Sequence, residues 1–572
     1  MMDFRELDPF RTKADPLQLD LVESFAQGKI NRRHFIQRGT VLGLSLASLS
    51  AIVAACGGAS SGGSGGGGST DTGIGGGGGA TTAAVKSGGT MNWTMAIPGS
   101  EGVNPITMID LSTYNLTAQC FEYLVRSASD LSVVPQLATE WKASKADATE
   151  WTFTLRPNVK WQDGMPFTSK DVVATFNNLI AAGNSALNGI VNKGGVAAPD
   201  DMTVVFSLAK ANGHFPYLVS SDNCQALITP VGWTVKDNLA GNKNLGTGPW
   251  KLTKLDVKSS ATFVRNENWW GGKTPLDGLT FTFIQDTAAQ VAAVAAGEVD
   301  GIVQFPSSVG QVLLDNSDMN VIELKSATHR QVWMRCDTGP VTDPKVREAI
   351  ALTFDREKMV TKLIGGHGEV ANDHVMFSLY PYFNASAVPQ RKQDIAKAKQ
   401  MLSDAGVTNL TLDYIQGEEI PNLAILIADG LKQAGVDTKL IGADYGSFYG
   451  KYWCPADPPK PPCSGATPFG IVDYGHRGTP DVYLNAALST GGVWNSSQYA
   501  DPAFDKAFAD WSAAVSIDDQ TKTAGTLEQN LVANTPVGIP YTINTLCVYN
   551  KKFQGIVNTA MGFTFLEGAS QA

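Results

Sequence analysis

From Thr90 onward the apolar positions keep two rhythms that take turns. Trp151-Thr152-Phe153-Thr154-Leu155-Arg156 alternates apolar with polar, the pattern of a strand with one buried face. Asp163-Gly164 follows as a turn signal. A helical period then takes over. Thr168 stands as N-cap, Asp171 three residues on is its capping-box partner, and Val172, Val173, Phe176, Leu179 and Ile180 form one apolar stripe. A second helix is predicted from about Ala288 to Ala296, stopped by Gly297. A third starts at Asp343-Pro344, a cap followed by proline at the first helical position, where no amide hydrogen is needed. A fourth runs from about Ile395 to Ala405, with Ile395, Ala398, Leu402 and Ala405 on one face and Gly406 as its stop. Strands and helices thus alternate along the chain.

The first ninety residues follow a different logic. Asn31-Arg32-Arg33-His34-Phe35-Ile36-Gln37 and Arg38 are followed by a stretch without charge, Val41 to Ala55. That stretch is too short to cross a hydrocarbon layer of ~30 Å comfortably, and it fits the core of a signal peptide. Arg32-Arg33 with Phe35 resembles a twin-arginine export signal, and Val53-Ala54-Ala55-Cys56 resembles a bacterial lipobox, with Cys56 as the lipidated thiol. The alternatives are a buried helix and a single membrane anchor. Residues 57–89 are nearly all Gly, Ser, Thr and Ala and cannot bury a core. As a flexible coil they reach roughly 30 Å, a tether between membrane and domain. Gly62-Gly63-Ser64-Gly65-Gly66 and Gly73-Ile74-Gly75-Gly76-Gly77-Gly78 match a nucleophile elbow and a dinucleotide fingerprint. Neither follows a strand or opens a helix, so neither carries that meaning.

Composition mainly excludes. The chain has 572 residues, enough for two to four domains, and its net charge is −10. That argues against a nucleic-acid partner, which needs a basic face, and no polybasic membrane patch is present. Of seven cysteines, Cys454 and Cys463 bracket a proline-rich insert, where a local disulfide is expected in an oxidising compartment. Cys120, Cys224, Cys336 and Cys547 cannot be paired from sequence. No C-x-x-C occurs and the six histidines are scattered, so no metal and no cofactor is expected. No catalytic constellation emerges either. Glu418-Glu419 reads as a solvated turn, Arg347 as an architectural cation facing acids, and Gly246-Thr247-Gly248-Pro249 as a tight turn.

Four blocks carry a resemblance. The first is Val134-Pro135-Gln136-Leu137-Ala138-Thr139-Glu140-Trp141, then Trp151 to Arg156, then Val159-Lys160-Trp161-Gln162-Asp163-Gly164 with Met165 to Val172. The second is Gly246 to Leu252, followed by Arg265-Asn266, Trp269-Trp270 and Ala296-Gly297-Glu298-Val299-Asp300. The third is Asp343-Pro344-Lys345-Val346-Arg347-Glu348-Ala349-Ile350 with Asp355-Arg356, and the fourth is Tyr499-Ala500-Asp501-Pro502-Ala503-Phe504-Asp505. In this order they resemble the extracellular solute-binding proteins of family 5, the peptide and nickel binders of ATP-binding-cassette importers. The resemblance implies an α/β fold, the two-lobed periplasmic-binding-protein fold (class II, cluster C type) with an extra N-terminal subdomain. Lobe I is then 90–125, 245–328 and 535–572, the subdomain 126–244, and lobe II 329–534, with residues 1–56 as signal and 57–89 as tether. It also implies several strands crossing between lobes as a hinge, a monomer that hands a small solute to a membrane permease, and a place outside the cell membrane or in the periplasm.

In peptide-binding relatives the segment like Asp473-Tyr474-Gly475-His476-Arg477-Gly478-Thr479-Pro480-Asp481 resembles Trp-x-x-Asp-x-x-Asp/Glu-Pro, whose first Asp holds the peptide ammonium. Here His476 stands at that Asp and Asp473 at the Trp. Histidine cannot replace a carboxylate against an ammonium, and Arg477 favours a carboxylate, phosphate or sugar hydroxyl. Asp473 or Asp481 could take the ammonium instead. By family position Glu101, Tyr114 and Tyr541 are further cleft candidates. The expected ligand is a peptide, with an oligosaccharide or metal chelate as alternatives. The rival classes are a lipid-tethered hydrolase and a sensor or adhesion protein.

Overall fold

Local sequence chemistry places the one strand and four helices read from it within a residue or two of expectation. The strand Glu150–Leu155 buries Trp151, Phe153 and Leu155 on one face. The helix Ser169–Ala181 is closed by Thr168 and Asp171 as a capping box and buries Val172, Phe176 and Leu179. The helices Thr287–Ala295, Pro344–Leu352 and Ile395–Asp404 are capped by Asp286, Asp343 and Asp394. Gly297 and Gly406 follow two of them with φ of +75° and +68°, the left-handed step that glycine takes without strain.

The computed structural model describes residues 14, 16–56, 86–99, 103–145, 147–239, 245–455, 460–514 and 516–572, without the side chains of Pro16 and residues 54–56. Glu101, the thiol of Cys56, residues 57–85 of the tether and both glycine-rich pattern matches lie outside the described residues.

One mixed sheet runs through the molecule. Its order is Asp437–Ala443, Asn409–Ile415, Phe469–Tyr474, Met319–Met334, Tyr541–Asn550, Gly301–Ile302, Thr90–Met95, Gly278–Phe283, Ser260–Arg265 and Trp250–Asp256, with Gly368–Val370 and Val537–Gly538 paired off this path. The strand Met319–Met334 joins the two halves. Its first part pairs with Thr545–Asn550 and its second with Phe469–Tyr474, both antiparallel. Between Leu324 and Thr328 the register slips. Such a bulge bends the strand and re-aims its side chains.

Two cores lie on either side of that slip. One joins Trp93, Trp151, Trp250 and their neighbours to the C-terminal Cys547–Ala569 region. The other gathers Trp333, Phe354, Trp511 and Tyr541. A separate four-stranded antiparallel sheet, Ala138–Ala143, Glu150–Leu155, Thr203–Leu208 and Val191–Asp200, packs onto the first core. The interior is thus two packed bodies joined by shared strands, each built on bulky side chains that exclude water.

Two expectations need correction. Among the described residues Arg347 meets no acid. Its guanidinium is buried and donates to the backbone carbonyls of Asn534, Thr535, Val341 and Thr342, so it ties the start of one helix to the end of another. Gly246 and Gly248 are not needed for a tight turn but for a close approach: a Cβ on Gly246 would lie 1.8 Å from the carbonyl oxygen of Cys120. The uncharged stretch Val41–Ala55 is not one continuous helix. It breaks at Gly43 (φ +80°) between the helices Arg32–Val41 and Leu46–Cys56. Among the described residues no helix is long and apolar enough to cross a membrane.

Candidate ligand-binding cleft

A cavity of about 460 Å³ opens between the two bodies, beside the slipped register of the crossing strand. One wall comes from the first body, with Tyr114, Gln304 and Met561. The opposite wall carries Arg330, Glu418, Glu419, Asp473, His476 and Arg477, and Thr328 lies at the crossing.

The floor is an ion-pair cluster. Arg330 and Asp473 are cross-strand partners in the register of Met319–Met334 with Phe469–Tyr474. Arg330 is 3% exposed. Its Nε donates to Glu419 Oε1 at 2.8 Å, its Nη2 to Glu419 Oε2 at 3.0 Å, and Nη2 also donates to Glu418. The Tyr541 hydroxyl donates to Glu419 Oε1 at 3.0 Å. Burial opposes the charge on Arg330, but Glu419 and Glu418 hold the guanidinium firmly protonated. For Glu419 burial likewise opposes ionisation, and Arg330 outweighs it, so its carboxyl lies below the usual range. A fork-to-fork pair that is fully hydrogen-bonded offsets its own desolvation. Glu418-Glu419 is a turn as expected, with Glu418 largely exposed, but Glu419 is buried against Arg330 and so is not solvated. Adjacent carboxylates converge because Arg330 reaches both.

The segment singled out in sequence divides. Asp473 and Arg477 face the cleft. Asp473 Oδ1 accepts from the Tyr449 hydroxyl at 2.6 Å. Arg477 Nη1 donates to the carbonyl of His476 at 2.7 Å and lies 3.8 Å from the Met561 sulfur. Among the described residues no carboxylate lies within ion-pair distance of Arg477, which leaves donors of its fork directed at solvent or solute. His476 is 2% exposed and works inward. Its Nδ1 accepts the backbone N–H of Ala327 at 2.9 Å, at the slipped register. The proton therefore sits on Nε2, 3.9 Å from Asp222. Burial, with the Arg477 charge, pushes the His476 pKa down to about 3. It is a neutral strut under the cleft floor.

Tyr114 lines the cleft, with its ring beside Phe563 at 6.2 Å. Two other candidates do not reach the cavity. Asp481 is 2% exposed and accepts from Asn212 Nδ2 at 2.8 Å and from Thr479. It holds two segments together, and burial lifts its pKa to about 6. Tyr541 is 0% exposed and stands behind Glu419, which it orients. Arg330, Glu418 and Glu419 are the functional-site residues that sequence reasoning missed. Arg330 lies in the polar run Thr328-His329-Arg330-Gln331, which reads as solvent-facing, and nothing local marks a partner some ninety positions away.

Among the described residues no three His, Cys, Asp or Glu side chains converge to hold a metal. Cys454 and Cys463 are bridged. Two packed bodies, strands that cross between them, and a polar cavity at the crossing define a two-lobed solute-binding protein. A family model described as bacterial extracellular solute-binding proteins, family 5 Middle, matches residues 132–516, and the chain belongs to that family. It is 28% identical over 477 residues to the periplasmic murein peptide-binding protein MppA of Escherichia coli, covering 77% of this chain and 85% of that protein. It is also 28% identical over 364 residues to the nickel-binding periplasmic protein of Escherichia coli, covering 58% of this chain and 67% of that one. The solved structure of the Escherichia coli murein tripeptide binding protein MppA matches the fold with a TM-score of 0.72 at 24% identity, over 86% of this chain and 99% of that one.

Proposed function

We propose that this protein captures a peptide between its lobes and delivers it to the permease of an ATP-binding-cassette importer. The observation that carries the reading is the charge layout of the cleft. Arg477 offers a guanidinium that has no carboxylate partner among the described residues, and Asp473 faces the same cavity from the same segment. A zwitterionic peptide complements both: a carboxylate on Arg477 and the ammonium at Asp473, with Glu418 beside it. Its relatives include the murein peptide binder and the dipeptide-binding protein DppE of Bacillus subtilis, 24% identical over 487 residues. The lobe assignment follows the family resemblance: 90–125, 245–328 and 535–572 for lobe I, 126–244 for the extra subdomain, and 329–534 for lobe II, with Tyr541 reaching from lobe I into the second core. Binding is its whole activity, without a cofactor. It works as a monomer at the outer face of the cell membrane or in the periplasm, held by a lipid on Cys56 after twin-arginine export through Arg32 and Arg33.

Titration calorimetry of the protein with di-, tri- and tetrapeptides, some carrying an acidic side chain, tests this. Arg477→Ala should weaken peptide binding by about 1.5–3 kcal/mol, the range for a hydrogen bond to a charged group. Unchanged affinity removes Arg477 from the site, and binding of oligosaccharides alone replaces the peptide reading. Radiolabelled fatty-acid incorporation that survives Cys56→Ala removes the anchor.

A further inference from the structure

The segment that reads as an export leader is not detached from the fold. The helices Pro16–Ala26, Arg32–Val41 and Leu46–Cys56 close an apolar core of their own around Leu21, Phe35, Leu42 and Leu49, with Phe25 stacked on Phe35 at 4.3 Å. That unit sits on a seam between the four-stranded sheet region and lobe II. On the sheet side, the backbone N–H of Val133 donates to Thr40 Oγ1 at 2.8 Å, and the Trp141 indole donates to the carbonyl of Val41 at 3.0 Å. On the lobe II side, Ile517 enters the same apolar core and Lys29 pairs with Asp518.

Arg38 is buried in the seam itself. It lies 3.3 Å from His214 Nε2, and the His214 ring stacks on Trp511 at 4.5 Å. Arg38 thus touches the sheet region through His214, whose ring in turn packs on Trp511 of lobe II. Gly43 marks the fit as shaped to the residue. Its φ is +80°, and a Cβ there would lie 2.0 Å from the carbonyl oxygen of Trp141. Throughout, Arg32 and Arg33 remain exposed while Phe35 to Leu42 are buried.

We propose that this seam is a docking site for the chain's own export segment. The folded domain shelters the apolar stretch from water and holds the arginine pair outward. The seam exists only when the sheet region and lobe II are both folded and correctly placed, so the pair is displayed in this pose only by a folded chain. Loss of the segment at Cys56 bares the seam and leaves the sheet region joined to lobe II by their direct contacts alone, Asn212 with Asp481 and His214 with Trp511 among them. The inference goes beyond solute capture and stands whether or not the cleft takes peptides.

Hydrogen–deuterium exchange on the full chain carrying Cys56→Ala, which keeps the segment attached, reads the docking directly. Amides of residues 35–42 should exchange at least ~100-fold slower than in an unstructured peptide, as for a packed element. Gly43→Ala should bring them to within about tenfold of the unstructured rate, while the strand 319–334 keeps its protection. Gly28→Ala is the control, because Gly28 has a similar φ of +73° but nothing within 4 Å of a Cβ. It should leave residues 35–42 protected. Free exchange in the parent, full protection in Gly43→Ala, or equal loss in both glycine variants each overturns the proposal, the last because strain inside the helical unit then explains the effect.

Discussion

Arg330 shows how little of a binding site is written locally. Its neighbours in sequence are strand residues, and the partners that fix its role come from the start of a distant helix and from the last crossing strand. Its protein-level consequence is measurable. Glu419→Ala removes the bidentate partner and leaves Arg330 with Glu418 alone. Breaking a buried pair costs about 3–5 kcal/mol, and the loss here should fall near the lower end because Glu418 remains. Urea unfolding checks this, and a change under 1 kcal/mol means the pair is solvent-screened. Arg477 was legible because it departs from a recognisable segment, whereas His476 was legible only as a residue type. Its inward role follows from the Ala327 amide, a contact between residues 149 positions apart. Glu528 offers a pH test. It is buried, one carboxylate oxygen has no partner, and burial lifts its pKa from 4.5 to about 8. A folded pKa above the unfolded one means the folded state binds the proton more tightly. The cost of ionisation is therefore absent below pH 4.5 and fully present above pH 8. Relative to Glu528→Gln, the wild type should lose roughly 3–5 kcal/mol of stability across that window. Parallel pH–stability curves for the two proteins would show that Glu528 is solvated.

Elements were more legible than residues because caps and periodicity are local. Thr168 with Asp171, and the aspartates before Pro344 and Ile395, supply hydrogen bonds that the first turn of any helix lacks, so they mark starts wherever they occur. Asp171 does more than capping. It accepts from the Thr168 amide at 2.9 Å, the Val231 amide at 3.0 Å and the Trp161 indole at 3.4 Å. Asp171→Ala should thus cost about 2–3 kcal/mol, more than the ~1 kcal/mol of an ordinary cap, since buried donors lose their acceptor. Thermal unfolding against Thr168→Ala, which keeps the Asp171 carboxylate, separates the two contributions. What periodicity could not supply was how strands pair. The strand Met319–Met334 serves two bodies, and the slip between Leu324 and Thr328 is visible only against its partners.

At the scale of the whole molecule, the family resemblance anticipated two lobes and crossing strands, and composition contributed none of that. The cleft lies at the crossing, so closure needs only a change of twist where Lys325 to Ala327 already depart from regular pairing. A bound solute at about 100 times its dissociation constant should add ~2.7 kcal/mol to stability and raise the melting temperature by a few degrees. Small-angle scattering should show a smaller radius of gyration in the same sample. A melting shift without compaction would place the solute on one lobe only.

The pairing of Gly301–Ile302 with Val548 and Tyr549 also sets a timetable for synthesis. A ribosome delivers the strand Tyr541–Asn550 more than two hundred residues after the strand it must join, and after nearly all of lobe II. Until then the first sheet keeps a raw inner edge, with backbone groups that could pair with another nascent chain. Lobe II can settle during translation, but lobe I cannot, so a stalled or truncated chain is left with its amino-terminal half open. A cell making this protein has to guard that edge through most of elongation.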